Sequence, residues 1–96
     1  MAEAELVFRE RRWFDENLMV EAVIWRLPRR LPGCRHPFKY RVAPVSGGQY
    51  VLRYDNEAGK GDHKHIREVE QPYDFIDLER LQKDFWEDVA GWRAKQ

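Results

Sequence analysis

The chain has one cysteine, Cys34, and so cannot form an internal disulfide. That usage fits a reducing compartment, and a packed core must hold the fold. Long apolar runs are also missing. The longest, Ala22-Val23-Ile24-Trp25, falls far short of a membrane span. The first residues, Met1-Ala2-Glu3-Ala4-Glu5, are acidic and have neither the basic nor the apolar region of a signal peptide. The expectation is a cytoplasmic protein with no membrane association. No repeat or low-complexity tract breaks the 96 residues, which suffice for one domain over 1–96 with one modest core. Net charge is absent too, since 17 Lys and Arg balance 17 Asp and Glu.

That balance hides an asymmetry. Between Ala22 and Tyr54 lie Arg26, Arg29, Arg30, Arg35, Lys39, Arg41 and Arg53, with no acid among them. Between Glu68 and Asp88 the acids dominate, and only Arg80 and Lys83 oppose them. The first region is a candidate anion surface and the second repels anions, unless the fold sets them side by side to neutralise each other.

The front half reads as strands. Glu5–Trp13 alternates, with Leu6 and Phe8 on one face and Val7 on the other. Asp15-Glu16-Asn17 is a short polar break suited to a hairpin. Leu18–Leu27 is apolar on both faces, apart from Glu21, so it is expected to be central and covered on both sides or paired with an oligomer partner. Pro28–Pro37 holds three prolines and Gly33 and reads as a loop. Phe38–Val45 is a third strand, Ser46-Gly47-Gly48 a turn, and Gln49–Tyr54 a fourth strand with Tyr50, Leu52 and Tyr54 on one face. Asp55–Asp62 reads as a loop, and a short fifth strand runs from His63 through Val69 and ends at Pro72. Leu78, Leu81, Phe85, Val89 and Trp92 form one helical stripe, with Asp74 or Asp77 as the cap. Trp86 and Ala90 widen the apolar face. The fold class is therefore α+β: an antiparallel meander of four to five strands packed by one C-terminal helix.

Chemistry concentrates in Arg53-Tyr54-Asp55-Asn56-Glu57-Ala58-Gly59-Lys60-Gly61-Asp62-His63-Lys64-His65. Three readings compete. In the first, Gly59, Lys60 and Gly61 present backbone N–H groups and an ammonium to a phosphate, though the spacing is not that of a P-loop. Arg53, Lys64, Arg41, Lys39 and the ring of Tyr54 extend the surface toward RNA, and His63 and His65 act as general acid and base. Lys60, Lys64 and Arg53 then stabilise the phosphorane, while Asp55 and Asp62 orient a histidine or lysine. In the second, His63 and His65 join Asp55 or Asp62 around a divalent metal. In the third, these are ordinary turn and edge residues, a reading that suffices for any one of them but less well for the whole run. The first reading is preferred, with no metal and no cofactor. Cys34 stands beside Gly33 and Arg35, which would lower its pKa, yet an unremarkable loop thiol is the simpler reading.

The run Leu52-Arg53-Tyr54-Asp55-Asn56, followed by Gly59-Lys60-Gly61-Asp62-His63-Lys64-His65, resembles the hallmark of the TumE-like toxins of bacterial toxin–antitoxin systems. Val23–Pro28 and Phe38–Arg41 resemble that family's second and third strands, and Pro72-Tyr73 with Asp84-Phe85-Trp86 resembles its C-terminal portion. The resemblance implies a toxin encoded beside a helix-turn-helix antitoxin. It brings no assigned catalytic residues. An RNA-directed, metal-independent endoribonuclease, with a possible homodimer, is the expectation. A non-enzymatic nucleic-acid- or anion-binding protein is its rival, with the apolar surplus of the second strand and the helix as a dimer or antitoxin interface.

Overall fold

Alternating side chains pair most of the chain into hairpins. The computed structural model describes residues 3–95. Met1 and Ala2, part of the segment read for a signal peptide, and Gln96 lie outside the described residues. The strands are β1 (Glu5–Trp13), β2 (Leu18–Arg26), β3 (Phe38–Ser46), β4 (Gln49–Tyr50), β5 (Leu52–Glu57), β6 (Gly61–Ile66) and β7 (Val69–Pro72), followed by helix α1 (Leu78–Ala94). They form one antiparallel sheet in the order β1-β2-β3-β5-β6-β7, with β4 beside β3. The α+β class and the C-terminal helix agree with the sequence. The strand number does not: the sheet has seven strands rather than four to five.

The sheet departs from the expectation at three places, two of which add a strand. Val51 interrupts the expected Gln49–Tyr54 strand, leaving β4 and β5. Tyr50 therefore pairs with Val45, its ring lies under the Arg41 guanidinium at 4.6 Å, and it parts company with buried Leu52 and Tyr54. Asp55, Asn56, Glu57, Gly61 and Asp62 are ladder residues, and only Ala58–Lys60 remains as a turn. The expected fifth strand breaks at Arg67 and Glu68, where Arg67 takes φ 57, and β7 folds back on β6.

Asn56 explains why a polar stretch can be strand. Fully buried, its side chain accepts from the Tyr40 N–H at 3.1 Å and donates to the Phe38 carbonyl at 2.6 Å. The side-chain amide satisfies backbone groups of β3 that direct pairing with β5 leaves open. A further departure lies in β1. Leu6 pairs with Trp25 and Phe8 with Ile24, so a bulge interrupts the alternation that would have put Leu6 and Phe8 on one face.

Helix α1 starts at Asp77, whose carboxylate accepts from the Arg80 N–H at 2.7 Å. It buries Leu81, Phe85 and Val89 against Val20, Ile24, Tyr40, Val42, Leu52 and Tyr54. Burying each such aliphatic or aromatic side chain contributes about 2 kcal/mol. Strand β2 is central, as its composition requires, but the helix covers only one of its faces. On the other, Met19 is shielded and Val23 and Trp25 are half-buried.

Candidate functional site

Strand alternation divides the chemistry-bearing run between the two faces of the sheet. Tyr54, Asn56, Asp62 and Lys64 share the helix side, because Tyr54 pairs with Lys64 and Asn56 with Asp62. Arg53, Asp55, His63 and His65 share the opposite, helix-free side. There Asp55 is the ladder partner of both Arg41 and His63, and His65 is the partner of both Arg53 and Glu70. Adjacent strands thus bring Arg41, Arg53, Asp55, His63, His65 and Glu70 to one patch.

Distances make the patch specific. His63 Nε2 lies 2.7 Å from Asp55 Oδ1 and 3.6 Å from Glu70 Oε1. His65 Nε2 lies 3.8 Å from the same Glu70 oxygen. The two imidazoles meet edge to face at 5.1 Å. Arg53 Nε holds the other Asp55 oxygen at 2.9 Å. The side chain of His63 is 5% exposed and that of His65 24%, so His65 is the more open of the pair. His63 also lines a shallow concavity with Lys60, Asp62, Glu70, Gln71 and Pro72. Three buried polar atoms here, Arg53 Nε, Asp55 Oδ1 and His63 Nδ1, make no aligned hydrogen bond despite the close approaches. Buried polar groups are almost always paired, so three orphans in one patch are unusual.

The helix side differs. Asp62 Oδ1 faces His36 Nε2 at 2.8 Å and accepts from the Tyr40 hydroxyl at 2.7 Å. His36 Nδ1 accepts from the Phe38 N–H at 3.2 Å, and its ring stacks on Phe75 at 3.7 Å. Cys34 packs beside them and receives the Asn56 amide at 3.7 Å. Burial, with the Asp62 charge behind it, raises the Cys34 pKa, the reverse of what its Gly33 and Arg35 neighbours suggest. Burial likewise pushes the phenols of Tyr40, Tyr54 and Tyr73 up, reinforced by Asp62, Asp88 and Asp84 respectively. The Tyr73 hydroxyl in turn holds the Asp84 carboxyl below the usual range, against a smaller cost of burial.

Several expected roles need correction. Tyr54 is 1% exposed and donates to Asp88, so its ring is a core element and cannot stack a base. Asp62 orients His36 and Tyr40, not His63 or His65. Lys64 pairs with Asp88 at 3.3 Å, across the sheet from the two histidines. Lys39 donates to the Asn56 carbonyl. The Gly59 N–H is taken by the Pro32 carbonyl at 2.7 Å and the Lys60 N–H by Glu57 at 3.1 Å, so neither is free for a phosphate. Gly61 is a packing glycine: its φ is +76, and a Cβ there would stand 2.9 Å from the Gly33 carbonyl oxygen.

The charges of the basic and acidic stretches meet at Glu70, which shares the patch of Arg41 and Arg53 without an ion pair to either. No ion pair among the described residues joins a cation of Ala22–Tyr54 to an acid of Glu68–Asp88. Arg41 and Arg53 face away from α1, and Arg41 is exposed. Glu70 is the site residue that sequence reading missed. Recognising Arg67-Glu68 as a turn would have placed it opposite His65.

No helix among the described residues is long and apolar enough to cross a membrane. No curated protein and no solved structure matches the chain. A family model described as "Toxin TumE" matches residues 3–93, nearly the whole chain and both halves of the patch. The chain therefore belongs to the TumE toxin family, and a toxin of this kind has an antitoxin as its partner in general.

Proposed function

We propose that this toxin acts on RNA as a metal-independent endoribonuclease, with its acid–base centre at Asp55, His63 and His65. The observation that supports the reading is the pairing of His63 and His65 on the helix-free face, with Asp55 2.7 Å from His63 Nε2 and with arginines around them. In this reading one imidazole takes the proton of a ribose 2′-hydroxyl as that oxygen attacks phosphorus. The other gives a proton to the 5′-oxygen as the P–O5′ bond breaks, leaving a 2′,3′-cyclic phosphate. His65, the more exposed ring, meets the substrate directly. Asp55 fixes the His63 ring, as a carboxylate behind a catalytic imidazole does. Lys60 and Arg53 stabilise charge developing on the phosphoryl oxygens, and Arg41 contacts neighbouring phosphates. Lys39 contributes positive potential more than contact, since its ammonium is engaged.

The antitoxin would be a helix-turn-helix protein that masks this face or the apolar margin formed by Phe8 and Trp86, both substantially exposed. The same margin would serve a homodimer. Controlled expression in a bacterial host tests the activity, comparing the wild type with His63→Ala/His65→Ala while growth and RNA integrity are followed. Growth arrest with RNA fragmentation by the wild type alone is expected, the variant remaining folded by circular dichroism. A folded variant that still fragments RNA removes the assignment.

A further inference from the structure

The geometry points to a divalent transition-metal site on Asp55, His63, His65 and Glu70. Its occupant would be an ion of the zinc class, bound by two imidazole nitrogens and two carboxylate oxygens. Ligand atoms of Asp55, His63 and His65 all lie within 4.8 Å of one another. Glu70 Oε1 stands just outside that converging trio, at 3.6 Å from His63 Nε2 and 3.8 Å from His65 Nε2, where a side-chain shift would bring it in as a fourth ligand. Tetrahedral ligands about 2.1 Å from an ion stand about 3.4 Å apart, which the two Glu70 separations approach. The close His63–Asp55 contact would open by several tenths of an ångström to admit the ion.

A second observation favours a cation at this place. Asp55 Oδ1 is buried and makes no aligned hydrogen bond, although His63 Nε2 is 2.7 Å away. An ion seated between them uses both lone pairs, which the present contact does not. Two carboxylates and two neutral imidazoles balance a dication, and the donor set suits zinc, cobalt or nickel more than magnesium or calcium. Arg53, at 2.9 Å from the far oxygen of Asp55, would orient that carboxylate from outside the coordination sphere. The Arg41 guanidinium lies over Tyr50.

The other converging trio, Cys34, His36 and Asp62, does not offer the same opening. His36 Nδ1 already accepts the Phe38 N–H, which leaves the ring proton on Nε2, facing Asp62. A metal at Nε2 would force a proton onto Nδ1 against that N–H donor. Tyr40 also occupies the Asp62 oxygen.

Metal binding would take the lone pairs that proton transfer needs, so the ion would silence the toxin rather than assist it. This consequence rests on the ribonuclease reading, whereas the binding itself does not.

Cobalt(II), titrated into the full metal-free chain and followed by visible absorption, tests the site. The expected result is saturation near one equivalent with the intense bands of four-coordinate cobalt. His65→Ala and Glu70→Gln, both at partly exposed side chains, are expected to weaken binding at least about tenfold. Cys34→Ser is expected to leave it unchanged. The site is overturned if no saturable band appears, or if the band survives His65→Ala and is lost in Cys34→Ser. Adding zinc during RNA cleavage separates the two readings. Inhibition supports the blocking role and stimulation overturns it. A wild type that binds cobalt but cleaves no RNA with chelator or with zinc keeps the site and removes the ribonuclease reading.

Discussion

On the helix side of the β5–β6 hairpin, Asp62 meets His36 and Tyr40 within 2.8 Å, and His36 has a partner on each nitrogen. On the helix-free side, one residue along the same strand, His63 lies against Asp55 and Glu70 with Nδ1 unpaired and Asp55 Oδ1 unaligned. The same residue types thus serve opposite ends. Where every lone pair and proton is used, the group holds the fold. Where they are left over, the group is available for chemistry, because an unsatisfied buried polar atom costs free energy that a ligand or substrate recovers.

The comparison breaks first on Asp62. Asp62→Ala leaves the Tyr40 hydroxyl and the His36 N–H buried without an acceptor. Each orphaned donor costs about 2 kcal/mol, so a loss of about 4 kcal/mol is expected in urea-induced unfolding. If Asp62→Ala unfolds with the wild-type midpoint, the helix-side network is not what holds this end of the sheet.

Alkaline pH is the next lever, and it acts on the helix side through its buried phenols. Tyr40 and Tyr54 are each 1% exposed, with pKa values raised by burial and by Asp62 and Asp88. In the unfolded chain these phenols ionise near pH 10, whereas in the fold they stay protonated beyond that. The native state then binds more protons than the unfolded state. The stability present below pH 10 is therefore lost as pH rises above it. From pH 8 to 11 the two phenols together cost about 3 kcal/mol. Thermal midpoints that stay level to pH 11 would contradict the burial of these rings.

How much of this was legible follows from the same alternation. The C-terminal helix and its stripe could be read because Leu81, Phe85 and Val89 repeat at helical spacing and are all buried. The bounds of β1 could be read from its alternation, but its bulge could not, because nothing local marks it. The run around His63 stands out as a candidate site by its composition. Its division does not, because Asp55, Asn56 and Asp62 are poor strand formers and read as loop. Tertiary contacts override that preference: Asn56 is held by the backbone of β3, and Gly61 lies against Gly33. Read as a loop, Asp55–Asp62 gives Asp62 and His63 no reason to point apart. Glu70 stayed invisible for the same cause, since its place depends on a turn two residues upstream that carries no glycine, only Arg67 at positive φ.

The smallest structural effect carries the sharpest contrast. The His65 side chain is 24% exposed, and the carboxylate facing it is Glu70 at 3.8 Å. Truncating it removes the edge contact with His63 and no aligned hydrogen bond, so His65→Ala is expected to change stability by no more than about 1 kcal/mol. If the helix-free side is the working side, the same substitution abolishes growth arrest on induced expression. A change that is slight in the melt and decisive in the cell is what leftover chemistry predicts. A His65→Ala protein that is as toxic as the wild type, with an unchanged melt, would make His65 an ordinary surface residue. It would move the search for function to the exposed margin of Phe8 and Trp86.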